Sequence, residues 1–202
     1  STIIWHSTTD AGVAVPMPET IGRCRVRRVI GTGGMGTVYE AMQEEPRRTV
    51  AIKVMRFSFA TRAAIDRFKR EAQLLARLHH SGIAQVYEVG TFIDGAVEAP
   101  YFIMEFIPAA LSITEFARQN KLDVRHRLEL FAQVCDAVYH GNQKGVIHRD
   151  LKPSNILVDS TGQVRIIDFG IARSTDSDLA MTSVHTNAGE LVGTLQYMSP
   201  EQ

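Results

Sequence analysis

Residues 148–170 contain the side chains in this chain that are best suited to metal and phosphate chemistry. Asp150 and Lys152 lie near the start of the segment, Asn155 follows them, and Asp168 lies near its end. Carboxylate and amide oxygens are ligands for Mg²⁺, and a lysine ammonium group binds phosphate as a point charge. An apolar run with a turn joins the two ends, so we predict a hairpin that brings these groups together.

Hydrophobic periodicity predicts the elements that must hold this segment. Residues 156–158 and 164–167 have the pattern of two short strands joined by a turn. Upstream, residues 112–119 are predicted to form a short helix, and Asp123 is suited to cap a longer helix that ends before Gly145. The longer helix has an apolar stripe made of Leu128, Phe131, Cys135 and Val138.

The first half of the chain mostly shows the alternation of β-strands. Residues 1–20 show no period and contain two prolines, so we predict a flexible lead-in there. A helical period covers residues 62–78, and a change from strand to helix at residues 108–110 marks a predicted boundary between two lobes. Strand patterns cover residues 23–27, 37–42 and 49–55, and then residues 83–90 and 101–107 with Asp94 and Gly95 at the turn between them.

Composition excludes several classes of protein. The 202 residues are 45% hydrophobic with a formal net charge of zero, which predicts a globular chain without a nucleic-acid partner. No apolar run approaches the roughly 18 residues of a membrane helix, and the N-terminus lacks a secretion signal, so a membrane association is not evident. Cys24 and Cys135 show no ligand spacing, which favours a reducing compartment. Because the chain does not begin with Met, we expect it to be part of a longer or processed protein.

A glycine cluster has the form Gly31-x-Gly33-x-x-Gly36. Glycines let backbone N–H groups approach phosphate oxygens because no Cβ stands in the way. A glycine-rich hairpin turn without a ligand is an equally good interpretation of the cluster alone. Residues 37–41 continue as a strand rather than a helix, which argues against a dinucleotide-binding fingerprint and favours a flap over a nucleotide.

Two charged residues lie in apolar surroundings. Lys53 alternates with apolar residues on a predicted strand, where a solvated lysine is the simpler interpretation. Glu71 is surrounded by the apolar stripe of helix 62–78, and a buried carboxylate needs a cationic partner. We therefore predict an ion pair between Lys53 and Glu71.

Taken together, these motifs resemble those of eukaryotic-type protein kinases. The resemblance rests on residues 31–38, 50–53, Glu71, 148–155, 168–170 and 199–201, and it covers residues 21–202. Details such as Gly33-Gly34-Met35-Gly36 are similar to the bacterial serine/threonine branch. The resemblance implies an α+β, bilobal fold. A small lobe with an antiparallel sheet and one long helix would span residues 21–107, and an incomplete, mainly helical large lobe would span residues 108–202.

The resemblance also implies roles for single residues. Asp150 and Lys152 would be catalytic, Asn155 and Asp168 would hold Mg²⁺ or Mn²⁺, and Lys53 with Glu71 would bind the phosphates of ATP. The remaining residues expected at the nucleotide are the glycine loop, the adenine walls and the hinge: Gly31, Thr32, Gly33, Gly34, Met35 and Gly36; Ile30, Val38, Ala51, Met104 and Leu157; and Glu105 and Ile107. Each wall residue is equally compatible with ordinary core. Leu111 departs from the family, where many relatives carry a polar residue for the ribose.

The implied activity is transfer of the γ-phosphate of ATP to serine and threonine hydroxyls of proteins, an assignment that rests on Lys152 and Thr194. Arg149 suggests autophosphorylation of the loop 171–198, which we predict to be mobile and to be modified at Thr182, Ser183 or Thr186. The alternative is a kinase-like scaffold that binds nucleotide without transfer. The resemblance places the domain in the cytoplasm and leaves membrane anchoring of the whole protein open. We expect the present chain to expose apolar surface and to be weakly active by itself.

Overall fold

The computed structural model describes residues 17–33, 36–55, 75–94, 97–169, 196 and 197. The predicted lead-in up to residue 16, most of the helix predicted at 62–78, and nearly all of the loop predicted at 171–198 lie outside the described residues. Two parts follow one another along the described chain. The first is a large antiparallel sheet, and the second combines helices with a small sheet.

Alternating burial gives the first part a six-stranded sheet. In Cys24–Gly33, for example, Cys24 and Val26 are buried whereas Arg25 between them is exposed, as expected for a half-buried strand. All pairings in this sheet are antiparallel, in the order β1-β2-β3-β4-β6-β5. The strands are β1 Thr20–Ile21, β2 Cys24–Gly33, β3 Gly36–Gln43, β4 Arg48–Met55, β5 Val86–Asp94 and β6 Val97–Glu105.

The strands predicted from sequence are present, with two corrections. The predicted flexible lead-in includes Thr20, but Thr20 pairs with Arg25, and the Glu19 carbonyl accepts a hydrogen bond from Val26 N at 3.0 Å. The strands predicted at 83–90 and 101–107 instead form a hairpin in which β5 begins at Val86 and β6 ends at Glu105. Cross-strand pairing continues to Asp94 and Val97 at the turn, so both strands extend beyond the segments in which apolar and polar residues alternate most clearly.

The second part begins with two capped helices, α1 Ile113–Gln119 and α2 Val124–Gln143. Ser112 and Glu115 form a capping box on α1, which was not predicted. Asp123 caps α2 as predicted, because its carboxylate accepts from His126 N at 2.9 Å. A short 3₁₀ turn at Pro153–Asn155 then leads into a small sheet. Its strands, in the order β7-β8-β9, are β7 Leu111–Ser112, β8 Ile156–Val158 and β9 Val164–Ile166.

The face of α2 that packs against the core differs from the predicted stripe. Leu128 and Phe131 are 62% and 59% exposed, Cys135 is also exposed, and Val138 is half-buried. The helix has apolar residues on two faces, so periodicity alone does not identify which face is buried. The buried face consists of Leu130, Val134, Ala137 and Gly141.

Two hydrophobic cores hold these elements together. One lies within the six-stranded sheet and contains Ile21, Cys24, Ile52 and Ile103. The other joins the large sheet to α2 and the β8–β9 hairpin, and its members include Met104, Leu130 and Ile166. The predicted α+β architecture is confirmed. In the described part of the chain, no helix has the length and apolar character needed to cross a membrane.

Candidate active site

Asp150 is the centre of a compact polar cluster. Asn155 Nδ2 donates to the Asp150 carbonyl at 2.8 Å and to its carboxylate Oδ2 at 3.1 Å. Lys152 Nζ lies 3.0 Å from the same Oδ2. The 3₁₀ turn between Lys152 and Asn155 sets their spacing, because Asn155 N donates back to the Lys152 carbonyl at 2.9 Å. The three predicted residues therefore meet at one carboxylate.

The β8–β9 hairpin brings Asp168 back to this cluster. Ile167 N donates to the Asn155 carbonyl at 3.0 Å and closes the open end of the hairpin. This bond holds the residue before Asp168 against Asn155, so the two predicted metal ligands lie at the same end of the hairpin. Asp168 has φ 60°, a left-handed conformation that is rare for residues other than glycine. Arg149, beside Asp150, has φ 64°. Such backbone conformations concentrate at functional sites, where surrounding contacts hold them in place.

Lys53 reaches across from the large sheet to Asp168. Its Nζ lies 2.6 Å from Asp168 Oδ2, and the two side chains are only 10% and 20% exposed. Lys53 lies on β4 opposite Val38, so the sheet fixes the base of the side chain. The predicted partner of Lys53, Glu71, lies outside the described residues, and that pairing stays a prediction. The contact with Asp168 was not predicted, because the two residues are 115 positions apart in sequence.

The second oxygen of Asp168 fits a cation. Asp168 Oδ1 is buried and accepts no hydrogen bond from any residue that the structure describes. A buried carboxylate oxygen without a partner is costly unless a positive group occupies the space beside it. The described residues contain no cluster of three or more His, Cys, Asp or Glu side chains that could hold a metal by themselves. One carboxylate and one amide therefore suit an ion that takes its other ligands from phosphate and water, as Mg²⁺ does.

His148 supports both ends of the site and was not identified from the sequence. Its Nε2 donates to the Ile167 carbonyl at 2.9 Å, and its Nδ1 accepts from Asp150 N at 3.3 Å. The imidazole is therefore the neutral form with the proton on Nε2. Burial lowers the pKa of His148 below its ordinary value, although the bond to Ile167 and the nearby carboxylates act in the opposite direction. The ring also packs against buried Phe169, with 4.7 Å between the ring centroids.

The predicted glycine loop is a strand-to-strand connection. Gly31 pairs with Val38 across β2 and β3, and Gly33 pairs with Gly36. Gly36 has φ 150°, and a Cβ at this position would overlap the carbonyl oxygen of Val54. Its lack of a side chain is thus needed for backbone packing as well as for any ligand. Thr32 lies on β2 between Gly31 and Gly33, whereas Gly34 and Met35 lie outside the described residues.

Most of the predicted adenine walls lie close together. Ala51 and Met104 are buried cross-strand neighbours of β4 and β6, and Ile30 and Val38 pack against the same core. Leu157 is half-buried on β8, between buried Ile156 and Val158.

The predicted hinge begins where β6 ends. Glu105 N donates to the Gln85 carbonyl at 2.8 Å, so this N–H is not available to a base. Ile107 is half-buried, and Leu111 belongs to β7, where it pairs with Val158.

Comparison with known proteins identifies the family. The sequence matches the model of the protein kinase domain over residues 24–202. The chain belongs to the protein kinase family. It is 39% identical over 183 residues to the serine/threonine-protein kinase PknA of Mycobacterium tuberculosis, a match that covers 90% of this chain and 41% of the relative. It is 38% identical over 183 residues to the serine/threonine-protein kinase PrkC of Bacillus subtilis, covering 90% of this chain and 27% of that relative.

The fold of this kinase chain is also found among solved structures. The structure described as the PpkA-294 apo form matches with a TM-score of 0.65 at 25% identity, covering 87% of this chain and 69% of the other. The predicted resemblance to bacterial serine/threonine kinases is confirmed by these matches. The chain spans less than half of the length of the two curated relatives named above.

Proposed function

We propose that this protein is an ATP-dependent serine/threonine protein kinase. The observation that carries the proposal is the cluster in which Lys53 binds Asp168, while Lys152 and Asn155 both bind the Asp150 carboxylate. Phosphoryl transfer asks for positioning and charge stabilisation more than for covalent chemistry by the protein. A rigid set of carboxylates, ammonium groups and one amide supplies both.

Asp150 is placed to orient the attacking hydroxyl. Its carboxylate accepts from Asn155 and pairs with Lys152 through one oxygen, which fixes the direction of the other oxygen. The substrate oxygen attacks the γ-phosphorus of ATP, its proton passes to Asp150, and the bond between the γ-phosphorus and the bridging oxygen breaks to leave ADP. Lys152 offsets the negative charge that spreads over the phosphoryl oxygens.

Asn155 and Asp168 would hold Mg²⁺, or Mn²⁺ in its place, and phosphate oxygens and water would supply the other ligands. The ion, when bound, neutralises charge on the β- and γ-phosphates. Lys53 already lies beside Asp168, so its ammonium group is positioned to bind the same phosphates. The glycine loop of β2 and β3 would cover them with backbone N–H groups.

The adenine would lie between the apolar residues of the two parts of the chain. Ile30, Val38, Ala51 and Met104 form one side, and Leu157 on β8 would form the other. Because Glu105 N already binds the Gln85 carbonyl, the base would use other backbone groups of the hinge, between Glu105 and Ile107.

Regulation and location follow from the same proposal. We expect protein substrates, and autophosphorylation at Thr182, Ser183 or Thr186, with Arg149 beside Asp150 as the residue that pairs with the added phosphate. A cytoplasmic kinase domain is consistent with this use of ATP. Attachment of the whole protein to a membrane is a separate expectation for the complete sequence.

Transfer of labelled γ-phosphate from ATP to a generic protein substrate tests the proposal, followed by identification of the labelled amino acid. Wild-type protein should label serine and threonine only when a divalent metal is present. Asp168→Asn keeps the size of the side chain but removes its charge, so it should transfer at least about 10²-fold more slowly. Metal-independent transfer, or an Asp168→Asn variant as fast as wild type, would show that the assigned chemistry is wrong.

A further inference from the structure

Gln133 on α2 joins this helix to the β8–β9 hairpin. Its Oε1 accepts from Val164 N at 3.0 Å and from Gln163 Nε2 at 3.0 Å. Its Nε2 donates to the Gly162 carbonyl at 3.4 Å. One half-buried amide thus binds three consecutive residues at the closed end of the hairpin.

The bond to Val164 N is the important one. Val164 is fully buried, so water cannot replace Gln133 as the partner of its N–H group. The turn is also closed from within, because the Asp159 carboxylate accepts from Thr161 N at 2.9 Å and from Gln163 N at 3.1 Å. Asp159 shapes the turn, whereas Gln133 fixes the turn to a different element.

The β8–β9 hairpin is the segment of chain between the two predicted metal ligands. Asn155 precedes β8, Asp168 follows β9, and the bond from Ile167 N to the Asn155 carbonyl closes the open end. Only three residue pairs separate this end from the turn. Residues 82–84 also hold the open end, because Ala84 N donates to the Ile166 carbonyl at 2.9 Å and Ile166 N donates to the Gly82 carbonyl at 2.8 Å. Gln133 holds the turn, and the short strand pair joins the turn to the open end, so a change in how the turn sits on α2 is expected to shift the open end against residues 82–84.

We propose that Gln133 is a positioning residue for phosphoryl transfer, which holds the β8–β9 hairpin on α2 and thereby fixes Asn155 and Asp168 relative to Asp150. The proposal rests on the proposed function for the reaction and for the bound metal, whereas the attachment of the hairpin to α2 does not depend on it. Gln133 itself touches no reacting group. It acts through Val164 and the hairpin.

Amide hydrogen exchange tests the mechanical part without any activity. Gln133→Met keeps the volume of the side chain and removes its hydrogen bonds, whereas Gln133→Glu keeps the oxygen that accepts from Val164 N. Gln143→Met, near the exposed end of the same helix, is the matched control. In Gln133→Met we expect the Val164 amide to exchange about tenfold faster. The Ile167 amide should also exchange faster, while Ile103 in the large sheet is unchanged and the other two variants resemble wild type.

Faster exchange at Val164 alone would overturn the proposal, because the open end of the hairpin would then be independent of Gln133. Equal acceleration at Val164, Ile167 and Ile103 would also overturn it, because it would show only a loss of overall stability.

Metal binding tests the link to the site. Mn²⁺ affinity of the complex with a non-hydrolysable ATP analogue, measured by electron paramagnetic resonance, should fall several-fold in Gln133→Met and stay near the wild-type value in Gln133→Glu. Unchanged affinity in Gln133→Met would refute the positioning role. If wild-type protein bound no Mn²⁺ with the analogue, the proposed function would be wrong. The exchange experiment would still test whether Gln133 holds the hairpin, because it needs neither metal nor nucleotide.

Discussion

At the scale of single residues, the neighbours of Asp150 lie within its own motif, whereas the partner of Asp168 lies far away in the sequence. Lys53 lies on β4 of the large sheet and Asp168 lies just after β9 of the small sheet, and their side chains meet at 2.6 Å. Motif spacing indicated that both residues act on phosphate and metal, because their types suit that chemistry. It did not indicate that they contact one another, since pairing across 115 positions depends on how the two parts of the chain pack.

His148 shows a second limit of sequence analysis. A single histidine beside a charged motif has no periodicity that distinguishes a support from a catalytic group. The structure resolves this, because both ring nitrogens are engaged with backbone groups, of Ile167 and of Asp150. Protonation of Nδ1 would place an N–H group against the N–H of Asp150 and break that hydrogen bond.

The buried neutral state of His148 predicts a pH dependence of stability. Its pKa is lower in the folded protein than the ordinary value of 6.5, so the unfolded state binds the proton more tightly. Stability is therefore complete above pH 6.5 and is lost as the pH falls below it, by up to about 1.4 kcal/mol per pH unit. Free energies of unfolding at pH 7.5, 6.5 and 5.5, measured for wild type and for His148→Gln, should show a shallower loss in the variant. Identical pH dependence in the two proteins would contradict the assignment.

At the scale of secondary-structure elements, most of the strands and the ends of the two described helices were predicted correctly. The buried face of α2 was not, because this helix has apolar residues on two faces. The start of β2 alternates between buried and exposed positions, β4 contains an apolar run that is buried on both faces, and the turn residues 159–162 mark the β8–β9 hairpin, so these elements were predictable. The ends of α2 were also predictable, because Asp123 is a good N-cap and Gly145 has φ 75° just beyond the helix. Its buried face depended on packing against the core, which the sequence does not show.

The two faces of α2 should respond differently to the same substitution. Leu130 is 6% exposed and Leu128 is 62% exposed. Leu130→Ala removes packed methyl groups and should lower the free energy of unfolding by about 2–5 kcal/mol. Leu128→Ala should change it by no more than about 0.5 kcal/mol in the 202-residue chain. Chemical denaturation of both variants measures the difference, and equal losses would mean that the buried face has been assigned incorrectly.

At the scale of the whole molecule, the site lies where one core joins two sheets. Ala51 and Phe102 of the large sheet share this core with Val158 and Ile166 of the small sheet. Lys53 thus comes from one side of the core and Asp168 from the other. The family motifs predicted both parts and their order along the chain. The details of their contact came only from the structure.

The most direct test of the account is the rate of phosphate transfer at saturating Mg-ATP by the complete protein, as wild type and as Asp150→Asn, because the 202-residue chain is expected to be weakly active by itself. The variant removes the charge that orients the hydroxyl and accepts its proton, but keeps a side chain of the same shape that can still contact Lys152 or Asn155. We predict unchanged nucleotide affinity, and a transfer rate to protein serine and threonine that falls by about 10²-fold or more. Equal rates for the two proteins, or no transfer by wild type under conditions where it binds Mg-ATP, would contradict the proposed phosphotransferase and favour a nucleotide-binding scaffold.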